Sequence, residues 1–191
     1  KSFSRHAWPL RATACRWLAR REARNLAALD GIPGLPRFLG RPDPFTVEMS
    51  LLDAEPIPET KRGHGLAPDF FDQLDEIVSE IHARGLNHGD LRRRNLMVRR
   101  SDGGPALVDF AQSLCSASAL ERLALPPARR IDRAEFLKLK RWYLGLENLR
   151  PAEVAELERA PWHLRLGRLL RHDVYRPLKR LLRGDKRRRR K

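Results

Sequence analysis

His88-Gly89-Asp90-Leu91-Arg92-Arg93-Arg94-Asn95-Leu96-Met97-Val98 sets an acid and an amide five residues apart and then turns apolar. A second apolar run, Ala106-Leu107-Val108, ends in Asp109-Phe110. Between the runs, Ser101-Asp102-Gly103-Gly104-Pro105 is a glycine-containing connection, which predicts a β-hairpin. Such a hairpin carries Asn95 and Asp109 to the same end of two paired strands, as a shared metal ion requires. A phosphoryl-transfer site needs an acid facing the acceptor hydroxyl, with an amide oxygen and a second carboxylate holding Mg²⁺ on the nucleotide phosphates. Asp90, Asn95 and Asp109 have the chemistry and the order for these three roles.

Upstream, Asp69 to Ala83 is the clearest predicted helix. Phe71, Leu74, Ile77, Val78 and Ile81 form one apolar stripe, Asp72, Asp75, Glu76 and Glu80 lie mostly opposite, and Gly85 follows the end. A packed helix running into the catalytic stretch would hold that stretch in place. His82 near its end reads as structural. Residues 52–66, rich in proline and charge, read as a surface loop. Arg37-Phe38-Leu39-Gly40 and Phe45-Thr46-Val47-Glu48-Met49 read as short strands about the turn Arg41-Pro42-Asp43-Pro44. Before them, Gly31-Ile32-Pro33-Gly34-Leu35-Pro36 precludes helix. A helix is expected from Leu10 to Leu29, with Ala14, Trp17, Leu18, Ala23, Leu26 and Leu29 at roughly helical spacing and Asp30-Gly31 as the stop.

The chain of 191 residues, 41% hydrophobic, can bury one substantial core or two small lobes sharing an interface. It has no apolar run of membrane-spanning length and no secretory signal pattern at its start. Cys15 and Cys115 form no metal or redox motif, so buried, reduced thiols of a cytoplasmic protein are expected. The formal charge of +15 is unevenly placed. Residues 161–191 hold thirteen Lys or Arg against two Asp, so +11 belongs to that segment and only +4 to the rest. The basic object is the tail. Pro151 to Arg159 predicts one helix and Trp162 to about Leu182 another, kinked near Pro177. Along the second, leucines interleave with arginines, which suits packing on the body of the protein or contact with an anionic membrane face.

The pattern HGDL-x-x-x-N at residues 88–95, followed by Val108-Asp109-Phe110-Ala111-Gln112-Ser113, resembles the protein-kinase-like superfamily. It is closer to the compact RIO and bacterial lipopolysaccharide-kinase branch than to ordinary eukaryotic protein kinases. Arg20-Arg21-Glu22-Ala23 and Asp132-Arg133-Ala134-Glu135-Phe136-Leu137-Lys138-Leu139-Lys140 also fit that branch. The resemblance covers Lys1 to about Tyr143 and implies an α+β, two-lobed fold with nucleotide between the lobes. Residues 1–49 would be a partial N-lobe, 50–145 a short helical C-lobe, and 146–191 a basic helical extension. The resemblance further implies that Lys1 and Glu22 position the phosphates of ATP. It makes Glu48-Met49-Ser50-Leu51 a hinge whose backbone meets the adenine, Asn95 and Asp109 the Mg²⁺ ligands, and His88 a support of the loop. Asp90 would be the catalytic acid–base group, with Arg92 offsetting charge on the γ-phosphate.

The sequence departs from that pattern in several places. Gly89 stands where many protein kinases have Arg, Ala111 replaces the Gly of DFG, and no Ala-Pro-Glu follows. The chain begins where the lysine strand should be ending, so the Gly-rich phosphate loop is expected upstream in a longer protein. These features imply an ATP-dependent kinase acting on a hydroxyl of a small molecule or a lipid-linked sugar, peripheral on the inner face of the cell membrane. A RIO-like protein kinase or ATPase, a pseudokinase scaffold at a membrane, and an RNA-associated protein are the competing readings.

Overall fold

The computed structural model describes residues 10–57, 66 and 68–159. Lys1, and the basic segment 161–191 with its expected kinked helix, lie outside the described residues. Helix α1 (Leu10–Ala28) is followed by β1 (Phe38–Gly40), β2 (Glu48–Met49) and β3 (Ala54–Pro56). After them come α2 (Pro68–Ala83), β4 (Leu96–Arg99), β5 (Pro105–Leu107), α3 (Ala119–Leu144) and α4 (Pro151–Glu158). Two single 3₁₀ turns, Arg93–Asn95 and Phe110–Gln112, adjoin the hairpin strands. The fold is α+β, as the sequence predicts. β1 and β2 form one antiparallel pair, and β3-β4-β5 form an antiparallel sheet in that order.

The hairpin β4–β5 aligns Leu96 with Leu107 and Met97 with Ala106. β3 adds to its other side, Glu55 opposite Val98, so the stretch expected to be wholly loop contributes a strand. The reason is non-local: Ala54-Glu55-Pro56 has no strand signal of its own, but β4 offers an unpaired edge. Pro56 can end the strand there because an edge position needs no further amide donor.

Helix α2 buries Phe71, Leu74, Ile77, Val78 and Ile81 as its periodicity requires, with Phe70 beside them. Phe71 meets Phe136 and Tyr143 of α3 at ring separations of 6.5 and 6.0 Å, within the range of favourable aromatic pairs. Leu26 and Leu29, Leu107 and Leu137 complete the same core. In α1 the buried stripe is Cys15, Ala19, Glu22, Ala23 and Leu26, and Trp17 is 56% exposed rather than part of it. Steps of three and four from Cys15 generate that stripe, whereas Trp17 falls on the outer side, with the Arg21 guanidinium over its ring at 4.8 Å. Both cysteines are free and buried.

Helix α4 starts at Pro151 and is tied to α3 by an ion pair that the core almost encloses. Lys140 Nζ donates to Glu153 Oε1 at 2.9 Å, the two residues being 5% and 4% exposed. Burial pushes the Glu153 carboxyl up, but the Arg150 N–H and the Lys140 ammonium outweigh it and leave the group below the usual carboxylate range. The pair therefore adds stability above the unfolded carboxyl pKa, and that contribution is lost as pH falls through the lower folded value. Lys140→Met should cost about 3 kcal/mol at pH 7 by stranding the carboxylate. The deficit in urea unfolding should shrink as pH falls through and below the ordinary carboxyl range, where the stranded carboxyl of the variant protonates first and wild type then loses the pair too. A pH-independent deficit would assign the effect to packing alone.

Candidate functional site

The loop from Asn87 to Asn95 leaves α2 through an isolated bridge, Leu86 to Cys115, and enters the hairpin through a 3₁₀ turn. Its backbone is held from three sides. Asp132 of α3, 1% exposed, accepts the N–H of His88 at 2.5 Å on one oxygen and that of Gly89 at 2.9 Å on the other. Ser113 Oγ donates to the His88 carbonyl at 2.8 Å, and Asn87 Oδ1 accepts the Leu114 N–H at 2.8 Å. Gly89 has φ +79°, and a Cβ there would stand 2.6 Å from the Gln112 carbonyl oxygen. Close approach of two backbones, and not only the left-handed conformation, demands glycine at this position.

His88 is fully buried, with its ring centroid 4.8 Å from that of Phe110. Burial lowers its pKa, against the opposing pull of Asp132, Asp90 and Asp109, so the ring is neutral near pH 7. Its Nδ1 faces the Asp90 N–H at 3.3 Å, which places the ring proton on Nε2. A neutral, enclosed ring fits the supporting role assigned to it and not that of a base.

The Asp90 side chain is 1% exposed and surrounded by donors. Arg92 Nε lies 2.8 Å from Oδ1, and Arg94 Nη2 donates to Oδ2 at 2.6 Å. The Arg94 pKa is raised, first by its hydrogen bond to Asp90 and then by that residue's charge. Asn95 Nδ2 donates to the Asp90 carbonyl at 2.9 Å and to Oδ2 at 3.2 Å, and Gln112 Nε2 reaches Oδ2 at 3.4 Å. Arg92 thus touches the acid two residues before it, a contact that the sequence does not announce.

With the side-chain nitrogen of Asn95 committed to Asp90, its side-chain oxygen Oδ1 is the atom left to coordinate a cation. Val108 N–H donates to the Asn95 carbonyl at 3.0 Å, so Asp109 begins one residue from the partner of Asn95. Asp109 has φ 74° and ψ 72°, the only non-glycine with positive φ among the described residues. A conformation of that kind costs about 1–3 kcal/mol and persists where surrounding contacts impose it. Those contacts come from α1. Asn25 Nδ2, fully buried, donates to the carbonyls of Phe110 at 3.2 Å and Ser113 at 3.0 Å. Arg21 donates to Ser113 at 2.8 Å and Gln112 at 3.1 Å. Glu22 lies between Arg21 and Asn25 in sequence and is itself 1% exposed. The helix bearing Glu22 and the segment bearing Asp109 are therefore locked together.

Glu48 and Met49 sit in β2, with Met49 opposite Phe38. The Ser50 N–H donates to the Arg37 carbonyl at 2.9 Å, while Ser50 Oγ accepts the Arg37 N–H at 2.9 Å. That pairing fixes the course of the expected hinge and commits one of its amides. Lys1 lies outside the described residues. Asp132, Asn25, Arg21 and Arg94 are the contributors that residue-by-residue reading passes over. Arg21, Arg94 and Asp132 lie within the motifs that carry the resemblance, but nothing local marks their partners.

An oxygen-only set of one carboxylate and one amide suits Mg²⁺, which is commonly held by few protein groups together with substrate phosphates. Among the described residues, no group of three or more His, Cys, Asp or Glu is arranged to hold a metal ion by itself. No helix among the described residues is long and apolar enough to cross a membrane.

The phosphotransferase enzyme family APH matches residues 1–125 of this chain. Among solved structures, the Rio2 kinase-ADP/Mg²⁺-phosphoaspartate complex from Chaetomium thermophilum is similar with a TM-score of 0.50 and 18% identity. The match covers 87% of this chain and 61% of that one. Another structure of Rio2 kinase from the same organism gives a TM-score of 0.53 and 18% identity, over 76% of this chain and 54% of that one. This chain thus spans roughly three fifths or less of those kinases, and at such identity the likeness is one of fold. No curated protein matches the chain.

Proposed function

This chain belongs to the APH phosphotransferase enzyme family, and from that premise we propose that it serves an ATP-dependent kinase. The acceptor is a hydroxyl of a sugar on a lipid-linked glycan or of another small molecule. The observation that carries the reading is the arrangement around Asp90: a buried carboxylate tied to Asn95, which the hairpin sets beside Asp109. Asp90 orients the acceptor hydroxyl and takes its proton as the oxygen bonds to the γ-phosphorus. The bond from that phosphorus to the bridging oxygen breaks, and ADP leaves. Arg92 and Arg94, already 2.8 and 2.6 Å from the carboxylate oxygens, keep positive charge beside the position where negative charge develops. Asn95 and Asp109 would hold Mg²⁺, which supplies charge neutralisation on the phosphate oxygens. Lys1 and Glu22 would position those phosphates, and the backbone at residues 48–50 would meet the adenine. The basic residues of 161–191 support presentation of the acceptor at an anionic membrane on the cytoplasmic side.

The test of this reading is thermal unfolding of the full-length protein. MgATP should raise the midpoint, ATP with chelator should raise it little, and Asp109→Ala should abolish the difference. An equal shift in Asp109→Ala would remove Asp109 from the metal site and favour a scaffold over an enzyme.

A further inference from the structure

Asn25 is a poor residue for its place. It sits inside α1, where asparagine forms helix less readily than leucine or alanine, and it is fully buried. Its Oδ1 meets no donor among the described residues, and a buried acceptor left in that state costs stability. Packing alone would favour leucine there. What the amide supplies is a pair of donors on one atom: Nδ2 reaches the Phe110 carbonyl at 3.2 Å and the Ser113 carbonyl at 3.0 Å.

Neither carbonyl depends on Asn25 for a partner. The Phe110 carbonyl also accepts the Ser113 N–H at 3.2 Å, and the Ser113 carbonyl also accepts from Arg21 Nε at 2.8 Å. With a donor already on each, the contribution of the amide is direction. Its two bonds bracket the 3₁₀ turn Phe110–Gln112, gripping the first carbonyl of the turn and the carbonyl just past its end. Asp109 immediately precedes the turn with φ 74°, and Gln112 inside it reaches Asp90 Oδ2 at 3.4 Å. A clamp on this turn bears on the expected metal carboxylate at one end and on the expected acid–base group at the other.

We propose that Asn25 is a positioning residue for the metal site: its amide fixes the turn after Asp109 in the orientation that presents the Asp109 carboxylate to Mg²⁺. It acts through the carbonyls of Phe110 and Ser113. The inference rests on the reading of Asp109 as a Mg²⁺ ligand and goes beyond it by assigning the strength of that site to a residue of α1.

Asn25→Leu is the test, because leucine fills similar space, removes the amide and leaves each carbonyl its other donor. In the full-length protein, the Mg²⁺ concentration that gives half of the MgATP-induced thermal shift should rise at least about tenfold, as expected when a group that orients a metal ligand is lost. The metal-free variant should unfold close to the wild-type temperature, since the unpartnered Oδ1 disappears together with the two bonds. Amide hydrogen exchange of residues 110–114 in the metal-free protein should quicken, while that of the β4–β5 hairpin stays as in wild type. Leu26→Ala serves as the control: it removes apolar packing from the same helix but none of the hydrogen bonds to the turn, so it should lower stability and leave the Mg²⁺ requirement unchanged. Asn25→Ala repeats the measurement should leucine fail to pack, with the same rise expected. A wild-type Mg²⁺ requirement, or wild-type exchange at 110–114, in a folded Asn25 variant would overturn the inference. An equal rise in Leu26→Ala would overturn it too, by making the effect one of general stability. A wild type that gains nothing from MgATP defeats the reading of Asp109 and this inference with it, whereas a normal wild type beside unaffected Asn25 variants defeats the inference alone.

Discussion

Asp90→Asn should lower phosphoryl transfer by about 10² or more while leaving nucleotide binding intact, the range expected for a positioned acid–base group. The substitution keeps the shape of the side chain and one acceptor oxygen, so the contact from Asn95 or Arg94 can persist. What it removes is the second anionic oxygen and with it the capacity to take the acceptor proton. Stability should change little, because the two arginines released from the carboxylate are 41% and 64% exposed and can be solvated. Single-turnover kinetics beside a MgATP-dependent thermal shift separates these effects. Turnover close to wild type would exclude Asp90 from the role, and loss of the thermal shift would mean that the change had disturbed the nucleotide site instead.

Asp132→Ala should be the more damaging change to the fold. The carboxylate holds two backbone N–H groups of the catalytic loop and also contacts His82 Nε2 at 3.3 Å, joining α2, α3 and the loop at one buried point. Two buried hydrogen bonds to a charged acceptor, each worth roughly 1.5–3 kcal/mol, predict a loss of about 3–6 kcal/mol in urea unfolding. The surviving folded protein should show reduced turnover, because Gly89 and Asp90 lose the anchor that sets their position. Asp132→Asn should recover part of both losses: its amide oxygen can serve one N–H, while its amide nitrogen opposes the other. Wild-type stability and turnover in Asp132→Ala would show that Ser113 and Asn87 suffice to hold the loop.

The elements that the sequence determined by itself are those whose cause is local. The α2 stripe follows from a period of 3.6 residues, and the hairpin from two apolar runs around a glycine-containing turn. Once the hairpin exists, Asn95 and Asp109 must share an end, and the Val108 to Asn95 bond at 3.0 Å expresses that necessity. Tertiary structure decided what a long or polar side chain meets, because its partner comes from elsewhere in the chain. Ala54–Pro56 became a strand only when β4 presented an edge. Trp17 turned outward because Cys15, Ala19 and Leu26 claimed the inner face of α1. Arg92 could have met solvent or phosphate, and the folded loop brings it to Asp90. Asp132 lies 44 residues after His88, so its two hydrogen bonds exist only after α3 has packed against α2. Periodicity and turn chemistry act over a few residues and are written in their order. The partner of a buried charge is chosen by desolvation across the whole core, where any charge left unmatched costs several kcal/mol.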